Sequence, residues 1–525
     1  MKQLQKTNNA KRNIVWGVLA KMVALLLPFA TRSALIYKLG MEYLGLSSLF
    51  TAILSVLSIA ELGFAEAVVY HMYKPIADGD NKKICAILNM LRKVYFVVGG
   101  VVLAVGLAIM PLLPFLIKDE IPADVNLYIL YAVYLVNASA SYFGLSYRQT
   151  IFIANQRNDI VNKITTITTS LLNGVQLACL LLLPNYYFYI AWIPVFTLLS
   201  YVIQFIVAKK KYPDCFPSGK LTPEEKKEVR KSVSGIMFHK LGGVLSNSAD
   251  SIIISAFLGL VVLAMYNNYL YVVTVLSGFY QIICDSILGG VGNSIATDTK
   301  EKNYKDLLKF SFMGCWIVGF VTVCMASIYQ PFMFVWVGED KMFLSFVVML
   351  MFCLYFYLMK FDNIGGVYKA AAGIWTQDKF RPLISGATNL TLNILIMLLL
   401  RNYDPQYAVM GTLISSIVCK VFIDYVWGTR VMFKYYFDRK ETEYTLKMLF
   451  YLGVTVVATA ATFAICYFAI DWQVSGWLGI ALIAARAGIC IVLPNLIFFL
   501  FFFKTNEFKE TVEFVKLHLH RNKEN

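Results

Sequence analysis

Two basic residues lie inside the first long apolar segment of the chain. This segment, from Asn13 to Leu39, is long enough to cross a bilayer, yet it contains Lys21 and Arg32. On a helix the two cations lie on one face, about 16 Å apart along the axis. A charged side chain at that depth costs about 2.5–3.5 kcal/mol and normally faces a polar cavity, a partner or an anion. The pair therefore predicts a site for an anionic group, with snorkelling of Arg32 and ion pairing of Lys21 as the structural alternatives.

Ionisable side chains recur inside later apolar segments. The further candidate cations are Lys240, Lys360, Lys420 and Arg486. The candidate acids are Glu61, Glu66, Asp250 and Asp285. Two interpretations of the acids stay open, because carboxylates can neutralise the cations or bind a coupling ion, H⁺ or Na⁺. For two of the lysines a local ion pair is an alternative, Lys360 with Asp362 and Lys420 with Asp424.

Metal and disulfide chemistry find no support in the sequence. The ten cysteines and four histidines show no ligand-like spacing, and no CxxC pair occurs. We interpret the cysteines as packing residues and predict no metal site, and no cofactor other than the coupling ion.

The composition indicates a protein that is embedded in a membrane. Of the 525 residues, 58% are hydrophobic and only 15% are charged, and the mean hydropathy is +0.64. A soluble chain of this length carries much more charge. The apolar runs are long and contain Gly and Pro, which is typical of transmembrane helices and predicts an all-α polytopic membrane protein.

Apolar runs of about 20 residues predict fourteen transmembrane helices. They lie near residues 14–38, 44–70, 84–110, 124–147, 162–183, 187–208, 233–258, 263–296, 306–329, 342–369, 382–400, 406–430, 445–470 and 476–503.

The distribution of Lys and Arg predicts the orientation of these helices. Most of the 47 basic residues lie in loops on the side of the two termini, above all between Lys209 and Lys231. The opposite loops hold only Lys38, Lys118, Lys341 and Arg401. The positive-inside rule then places both termini in the cytoplasm. It also explains the net charge of +15 as a topology signal, so nucleic-acid binding is not predicted.

The two halves of the chain resemble each other. Equivalent residues 219 positions apart include Leu39-Gly40 and Leu258-Gly259, Lys21 and Lys240, and Glu66 and Asp285. Such matches predict a duplicated six-helix unit. Because each unit has an even number of helices, the copies have the same orientation and are related by a pseudo-two-fold axis along the membrane normal, with a central cavity between them.

The predicted organisation has four parts. An N-terminal six-helix lobe covers 1–210, a cytoplasmic linker 211–232, a C-terminal six-helix lobe 233–430, and two extra helices with a cytoplasmic tail 431–525. Within the linker, Thr222, Pro223, Glu224 and Glu225 predict the start of a short amphipathic helix at the membrane surface.

Several segments carry a resemblance to a known family. They are TRSALIYKLGMEYLGL, which contains Arg32, SIAELGF in the second helix, YRQTIFIANQRND after the fourth and NSADSIIISAFLG in the seventh. Together with the arrangement of helices as six, six and two, they resemble the polysaccharide-transporter branch of the multidrug/oligosaccharidyl-lipid/polysaccharide exporter superfamily, the Wzx-type flippases.

The resemblance implies a function and a substrate. Such proteins move undecaprenyl-diphosphate-linked oligosaccharides from the inner to the outer leaflet of the bacterial cytoplasmic membrane by alternating access. The diphosphate would then be held by Lys21, Arg32, Lys240, Lys360, Lys420 and Arg486, since Arg and Lys bind phosphate well in a low-dielectric cavity. Membrane lipids, a glycan polymerase and export machinery are the implied partners. In related lipid II flippases the last two helices form a groove for the lipid tail.

Three alternatives remain at the level of sequence. An ion-coupled multidrug or small-molecule exporter of the same superfamily usually has twelve helices and an acidic cavity. A polytopic glycosyltransferase or polymerase typically needs a large external loop, whereas the loops here are short. A scaffold without transport activity is the third, and the matched cations Lys21 and Lys240 argue against it.

Overall fold

The computed structural model describes residues 6–58, 64–118, 121–143, 146–338, 343–374, 377–400 and 402–521. Of the predicted site residues, Glu61 lies outside these ranges, and the side chains of Lys21, Glu66 and Lys240 also lie outside the described part. Their predicted roles stay predictions.

The chain forms two compact units, Met1–Ala264 and Met265–Asn525. The helices of the first unit are α1 Lys6–Lys38, α2 Met41–Leu57, α3 Phe64–Asp78, α4 Asn81–Ile109, α5 Leu127–Phe143, α6 Gln149–Ala154, α7 Asn158–Leu182, α8 Tyr186–Lys211 and α9 Pro223–Leu258. Helix α10, Leu260–Thr297, begins in the first unit and continues into the second. The compact units thus divide inside α10, and the lobes 1–210 and 233–430 remain a prediction from the repeat.

In its described residues, the second unit contains the rest of α10 and nine further α-helices. They are α11 Lys300–Val337, α12 Phe346–Lys360, α13 Asn363–Ala371, α14 Arg381–Leu400, α15 Pro405–Val418, α16 Val426–Met432, α17 Thr442–Ala469, α18 Gly476–Phe502 and α19 Asn506–Arg521. Helices α15 and α16 are joined by a π-helical segment, Cys419–Tyr425, so that they form one long element. A second π-helical segment, Phe433–Phe437, follows α16.

The described chain is an all-helical polytopic membrane protein. Eleven described helices are long and apolar enough to cross a membrane, and the bent pair α5 and Ser146–Ala154 raises this number to twelve. Helix α1 and the short pair α2 and α3 are not among them. The fourteen predicted spans are therefore matched in part, and the full number remains a prediction.

The predicted helix start in the linker is present, but the helix is long. The Thr222 hydroxyl accepts a hydrogen bond from the Glu225 amide at 3.2 Å, and the Glu225 carboxylate accepts one from the Thr222 amide at 2.9 Å. This capping box starts α9, which continues without a break for 36 residues. The ammonium of Lys83 and the Thr222 amide lower the pKa of the Glu225 carboxyl.

One pair of repeat positions has the same backbone conformation in both copies. Gly40 between α1 and α2 has φ 120°, and Gly259 between α9 and α10 has φ 99°. Non-glycine residues rarely adopt such angles. Glycine is therefore required by the tight connections between α1 and α2 and between α9 and α10.

Candidate functional site

A polar cavity of about 340 Å³ lies within the second unit. Its walls come from α10, α13, the start of α14 and the π-helical segment with α16. The polar side chains that line it are Gln281, Asp285, Asp362, Asn363, Lys369, Arg381, Lys420, Asp424 and Thr429. Of the predicted site residues, Lys420 and Asp285 meet here.

Local backbone features position these side chains. Helix α12 ends at Lys360 and α13 begins at Asn363, so Asp362 lies at a break between two helices. The π-helical segment contains both Lys420 and Asp424, and such segments are frequent at functional sites. A Cβ atom on Gly365 would lie 2.6 Å from Asp362 Oδ1, so the absence of a side chain there gives the carboxylate its place.

Asp378 is the centre of a buried ionic network. Its side chain is 1% exposed and accepts hydrogen bonds from Lys369 Nζ and, at 2.9 Å, from Arg381 Nε. Arg381 also binds Asp424, which accepts a further hydrogen bond from Ser385 Oγ at 3.1 Å. The network therefore joins α13, α14 and the π-helical segment. It also holds Lys369 and Arg381 at the cavity wall.

Asp362 is held by a helix that lies outside the predicted repeat. Its Oδ1 accepts a hydrogen bond from the Tyr444 hydroxyl of α17 at 3.0 Å. Tyr444 is fully buried, and its hydroxyl also lies 3.3 Å from Ser311 Oγ of α11. Helix α17 thus holds one of the side chains that line the cavity.

Lys360 and Lys420 form no ion pair with any residue in the described ranges. The predicted local pair of Lys420 with Asp424 is not formed, because Asp424 binds Arg381 instead. The predicted pair of Lys360 with Asp362 is not formed either, since the Asp362 oxygen faces Tyr444. The two ammonium groups lie close enough to repel each other electrostatically. They are half-buried positive charges that an added anion would stabilise.

Asp285 has a polar neighbour on its own helix. Gln281 Nε2 donates a hydrogen bond to Asp285 Oδ1 at 2.8 Å, one turn earlier on α10. Both side chains line the cavity. The structure thus places one predicted acid and the predicted cation Lys420 at the same cavity.

Two predicted residues with described side chains lie in the first unit, and a third, in the second unit, lies away from the cavity. Arg32 on α1 is half-buried and interacts electrostatically with Tyr189 of α8. Asp250 on α9 is buried, at 5% exposure. Arg486 on α18 is 3% exposed and donates hydrogen bonds to the carbonyl groups of Ser327 at 3.0 Å and Ile470 at 2.6 Å. These bonds connect Arg486 to the backbone of two other segments, and a role for Arg486 in substrate binding stays a prediction.

The sequence pattern did not single out Lys369, Asp378 or Arg381 as site residues. The one available signal is that Tyr147-Arg148 recurs as Tyr368-Lys369, 221 positions later, close to the offset of the predicted repeat. The equivalent Arg148 has another environment, because its guanidinium lies between the rings of Phe205, 4.9 Å away, and Phe216, 4.7 Å away.

No group of three or more His, Cys, Asp or Glu side chains that could hold a metal ion occurs in the ranges that the structure describes. The polar cavity instead contains Asp424, which is paired with Arg381, and Asp362 and Asp285, which accept hydrogen bonds from a tyrosine hydroxyl and an amide. Its chemistry is that of binding charged or polar ligands.

Comparisons with known proteins identify related sequences and folds. Residues 10–288 match the family described as polysaccharide biosynthesis protein. No curated protein sequence matches the chain. The lipid II flippase MurJ in an inward closed conformation is similar in structure, with a TM-score of 0.58 and 12% identity over 93% of this chain and 99% of that chain.

Two multidrug transporters have a similar fold as well. One is a multidrug resistance MATE family transporter of the MOP superfamily in an inward-facing conformation, with a TM-score of 0.57 and 12% identity over 77% of this chain and 94% of that chain. The other is a point mutant of the Vibrio cholerae MATE transporter VcmN, with a TM-score of 0.54 and 14% identity over 83% of this chain and 100% of that chain. At such identities these likenesses concern the fold alone.

Proposed function

The chain belongs to the polysaccharide biosynthesis protein family, and from this premise we propose that it is a flippase for a lipid-linked oligosaccharide. The substrate is an undecaprenyl-diphosphate-linked oligosaccharide that moves from the inner to the outer leaflet by alternating access. The fold supports this proposal, because a lipid II flippase and multidrug transporters of the MOP superfamily share it. The protein acts as a transporter and not as an enzyme.

The observation that carries the proposal is the pair Lys360 and Lys420. A diphosphate brings at least two negative charges, which must be held while the head group is away from water. These two lysines have no carboxylate within ion-pair distance among the described residues, whereas Lys369 and Arg381 are neutralised by Asp378 and Asp424. A charge-assisted hydrogen bond contributes about 1.5–3 kcal/mol, so two of them can retain a diphosphate.

Roles in transport are proposed for the remaining predicted residues as well. Lys21, Arg32 and Lys240 are further diphosphate ligands from the first helix of each copy, and Arg486 is a candidate of lower rank because of its carbonyl partners. Glu61, Glu66, Asp250 and Asp285 are the acids that bind the coupling H⁺ or Na⁺ or neutralise the cations. A glycan polymerase and export machinery are the proposed partners.

The proposed architecture is that of two six-helix lobes and two extra helices in the bacterial cytoplasmic membrane. Fourteen spans place both termini in the cytoplasm, with the lobes at 1–210 and 233–430 joined by the linker 211–232. The matched glycines Gly40 and Gly259 support the repeat. The contact between Tyr444 and Asp362 supports a role for the extra helices in shaping the substrate cavity.

Depletion of the protein in its bacterial host tests the proposal. We expect undecaprenyl-diphosphate-linked oligosaccharide to accumulate on the cytoplasmic side, because synthesis continues while translocation stops. Extraction of lipid-linked intermediates and mass spectrometry measure the accumulation, and re-expression of the intact chain should reverse it. Unchanged levels of lipid-linked intermediates together with normal surface glycan would contradict the proposal, and altered drug resistance alone would favour the exporter.

A further inference from the structure

A cavity of about 260 Å³ within the first unit has a polar lining without charge. Its walls come from α7 and α8, with Gln149 at the start of α6. None of the described residues that line it is charged. Its aliphatic hydroxyl groups belong to Thr165, Thr168, Thr169, Thr197 and Ser200. Such a lining suits a neutral ligand with several hydroxyl groups, because each hydroxyl can both donate and accept a hydrogen bond.

Gln204 brings an unused hydrogen-bond acceptor to this cavity. Its side chain is 2% exposed, and its Nε2 donates to Ser200 Oγ at 3.2 Å, one turn earlier on α8. Its Oε1 accepts no hydrogen bond from any residue that the structure describes. A buried acceptor without a donor costs free energy. A ligand that supplies an O–H or N–H group at this point removes that cost.

Two other buried amides, both on α7, are used for packing between helices. Asn173 Oδ1 accepts a hydrogen bond from the Thr31 hydroxyl of α1 at 3.2 Å, and Gln176 Nε2 donates one to the Tyr189 carbonyl of α8 at 3.0 Å. Neither Asn173 nor Gln176 lines the cavity. Amides that join helices therefore find their partners within the protein, whereas the Oε1 acceptor of Gln204 at the cavity does not.

The equivalent polar face in the second copy of the predicted repeat is closed by the protein itself. At an offset of 221 residues, Thr168 corresponds to Asn389 of α14. Asn389 Nδ2 donates a hydrogen bond to Ser416 Oγ of α15 at 3.0 Å, and its Oδ1 accepts one from Asn393 Nδ2 at 3.2 Å. The polar side chains of α14 and α15 thus bind one another, whereas those of α7 and α8 line a space.

The cavity lies near the ends of α7 and α8 that the distribution of Lys and Arg assigns to the cytoplasm. Thr165 is seven residues from the start of α7, and Gln204 is seven residues from the end of α8. At 1.5 Å per residue, each is about 10 Å from that end. Thr165 is exposed and Gln149 is half-buried, so this end of the cavity is accessible. A ligand on the cytoplasmic side of the membrane therefore reaches the cavity without crossing the bilayer.

We propose that this cavity binds one sugar ring of the transported oligosaccharide, with Gln204 accepting a hydrogen bond from a hydroxyl or amide N–H group of the ring. The inference rests on the proposed function, because it assigns part of the head group of the same substrate. The rings of Phe196 and Tyr201 line the same space and offer an apolar surface to the C–H groups of a sugar. A metal cation or a phosphate is disfavoured, because the described lining has neither a carboxylate nor a cation.

Ligand binding by the purified full chain in detergent tests this site. The two probes are the undecaprenyl-diphosphate-linked oligosaccharide extracted from the host and undecaprenyl diphosphate without sugar. We expect the intact chain to bind the first probe several-fold more tightly than the second, as measured by microscale thermophoresis. Gln204→Met keeps the length of the side chain and removes the acceptor, so it should abolish this preference. An unchanged preference in Gln204→Met would overturn the proposal and leave a water-filled cavity only.

Two further variants separate sugar binding from folding. Thr168→Val keeps the shape of the side chain but removes a hydroxyl group from the cavity wall, so it should also lower the preference for the sugar-bearing probe. If Gln204→Met does not fold, Thr168→Val decides, and its full preference would overturn the proposal. The matched control is Gln176→Met, which removes a buried amide outside the cavity. It should unfold at a lower temperature and keep the preference, and an equal loss of preference in Gln176→Met would overturn the assignment to the cavity.

A third probe distinguishes the two sources of a sugar. The oligosaccharide released from the lipid by mild acid should bind several-fold more weakly than the lipid-linked form, and equal binding would overturn the assignment to the lipid-linked substrate. If Gln204→Met loses the preference but depletion in cells leaves the lipid-linked intermediate unchanged, the flippase proposal fails and the sugar site stands. If depletion causes accumulation but Gln204→Met keeps the preference, the sugar site alone fails.

Discussion

Lys420 is the residue on which the proposed substrate site depends most. It lies on a π-helical segment, lines the polar cavity and has no carboxylate within ion-pair distance among the described residues. A half-buried lysine without such a partner is costly unless an anion binds there. Its neighbour Lys360 raises this cost by repulsion. The Asp362 carboxylate also interacts electrostatically with Lys420 and balances part of this charge. We propose that the remaining charge binds an anionic ligand, whereas Arg381 and Lys369 maintain the shape of the cavity.

Substitution of Lys420 should reduce transport without reducing protein levels. Lys420→Gln keeps much of the side-chain length but removes the charge, and loss of one charge-assisted hydrogen bond lowers substrate affinity by about tenfold or more. Restoration of surface glycan in a depleted strain measures the effect at limiting expression. The matched control is Lys434→Gln, since Lys434 is exposed, lies in the next π-helical segment and does not line the cavity. Full complementation by Lys420→Gln would refute the assignment.

The variants Arg32→Ala and Lys21→Ala should likewise reduce transport without reducing protein levels.

At the scale of elements, the Asp378 network fixes the position of three helical segments. It ties Lys369 of α13 to Arg381 at the start of α14, and through Asp424 to the π-helical segment. Gly428 of α16 allows this close approach, because a Cβ atom there would lie 3.2 Å from Lys369 Nζ. The walls of the polar cavity are thus set by ion pairs between helices, which is a geometry that helical propensity alone does not specify.

Removal of the central acid should destabilise the protein strongly. Asp378→Asn leaves Lys369 and Arg381 without their shared carboxylate, and loss of one partner from a buried ion pair costs about 3–5 kcal/mol. We expect a clear decrease in thermal unfolding temperature in detergent. The control Glu301→Gln removes an exposed partner of Arg439, which should cost at most about 1 kcal/mol. Equal unfolding temperatures for Asp378→Asn and the unmodified chain would show that the network is not structural.

The sequence predicted part of this site for a clear physical reason. Lys420 and Asp285 lie inside apolar runs, where any charge is conspicuous, and both line the cavity. Asp378 and Arg381 lie at the end of a loop and the start of a helix, where charges are common and carry no signal. The ion pairs between them depend on how α13, α14 and the π-helical segment pack. Hydropathy and spacing do not contain that information.

At the scale of the whole molecule, two hydrogen bonds in the first unit join segments that lie far apart in the sequence. At one end Ser255 Oγ donates to the Leu116 carbonyl at 2.7 Å. At the other end Asn89 donates to the Gly219 carbonyl at 2.7 Å. These contacts join segments that the charge distribution assigns to the same side of the membrane in each case. The helical fold was predictable from long apolar runs, whereas the break between α12 and α13 and the unbroken length of α9 were not, because neither has a hydropathy signature.

The most direct test of the account is translocation by the purified protein in liposomes. A fluorescent undecaprenyl-diphosphate-linked oligosaccharide is placed in the membrane, and its exposure on the outer leaflet is followed by an added glycosidase that cannot cross the bilayer. We predict that the intact chain makes lipid from the inner leaflet accessible at a rate that rises with protein content, and that Lys420→Gln lowers this rate by about tenfold or more. Two results would contradict the account. One is inner-leaflet lipid that stays protected from the glycosidase, as in protein-free liposomes. The other is an equal rate for the intact chain and Lys420→Gln.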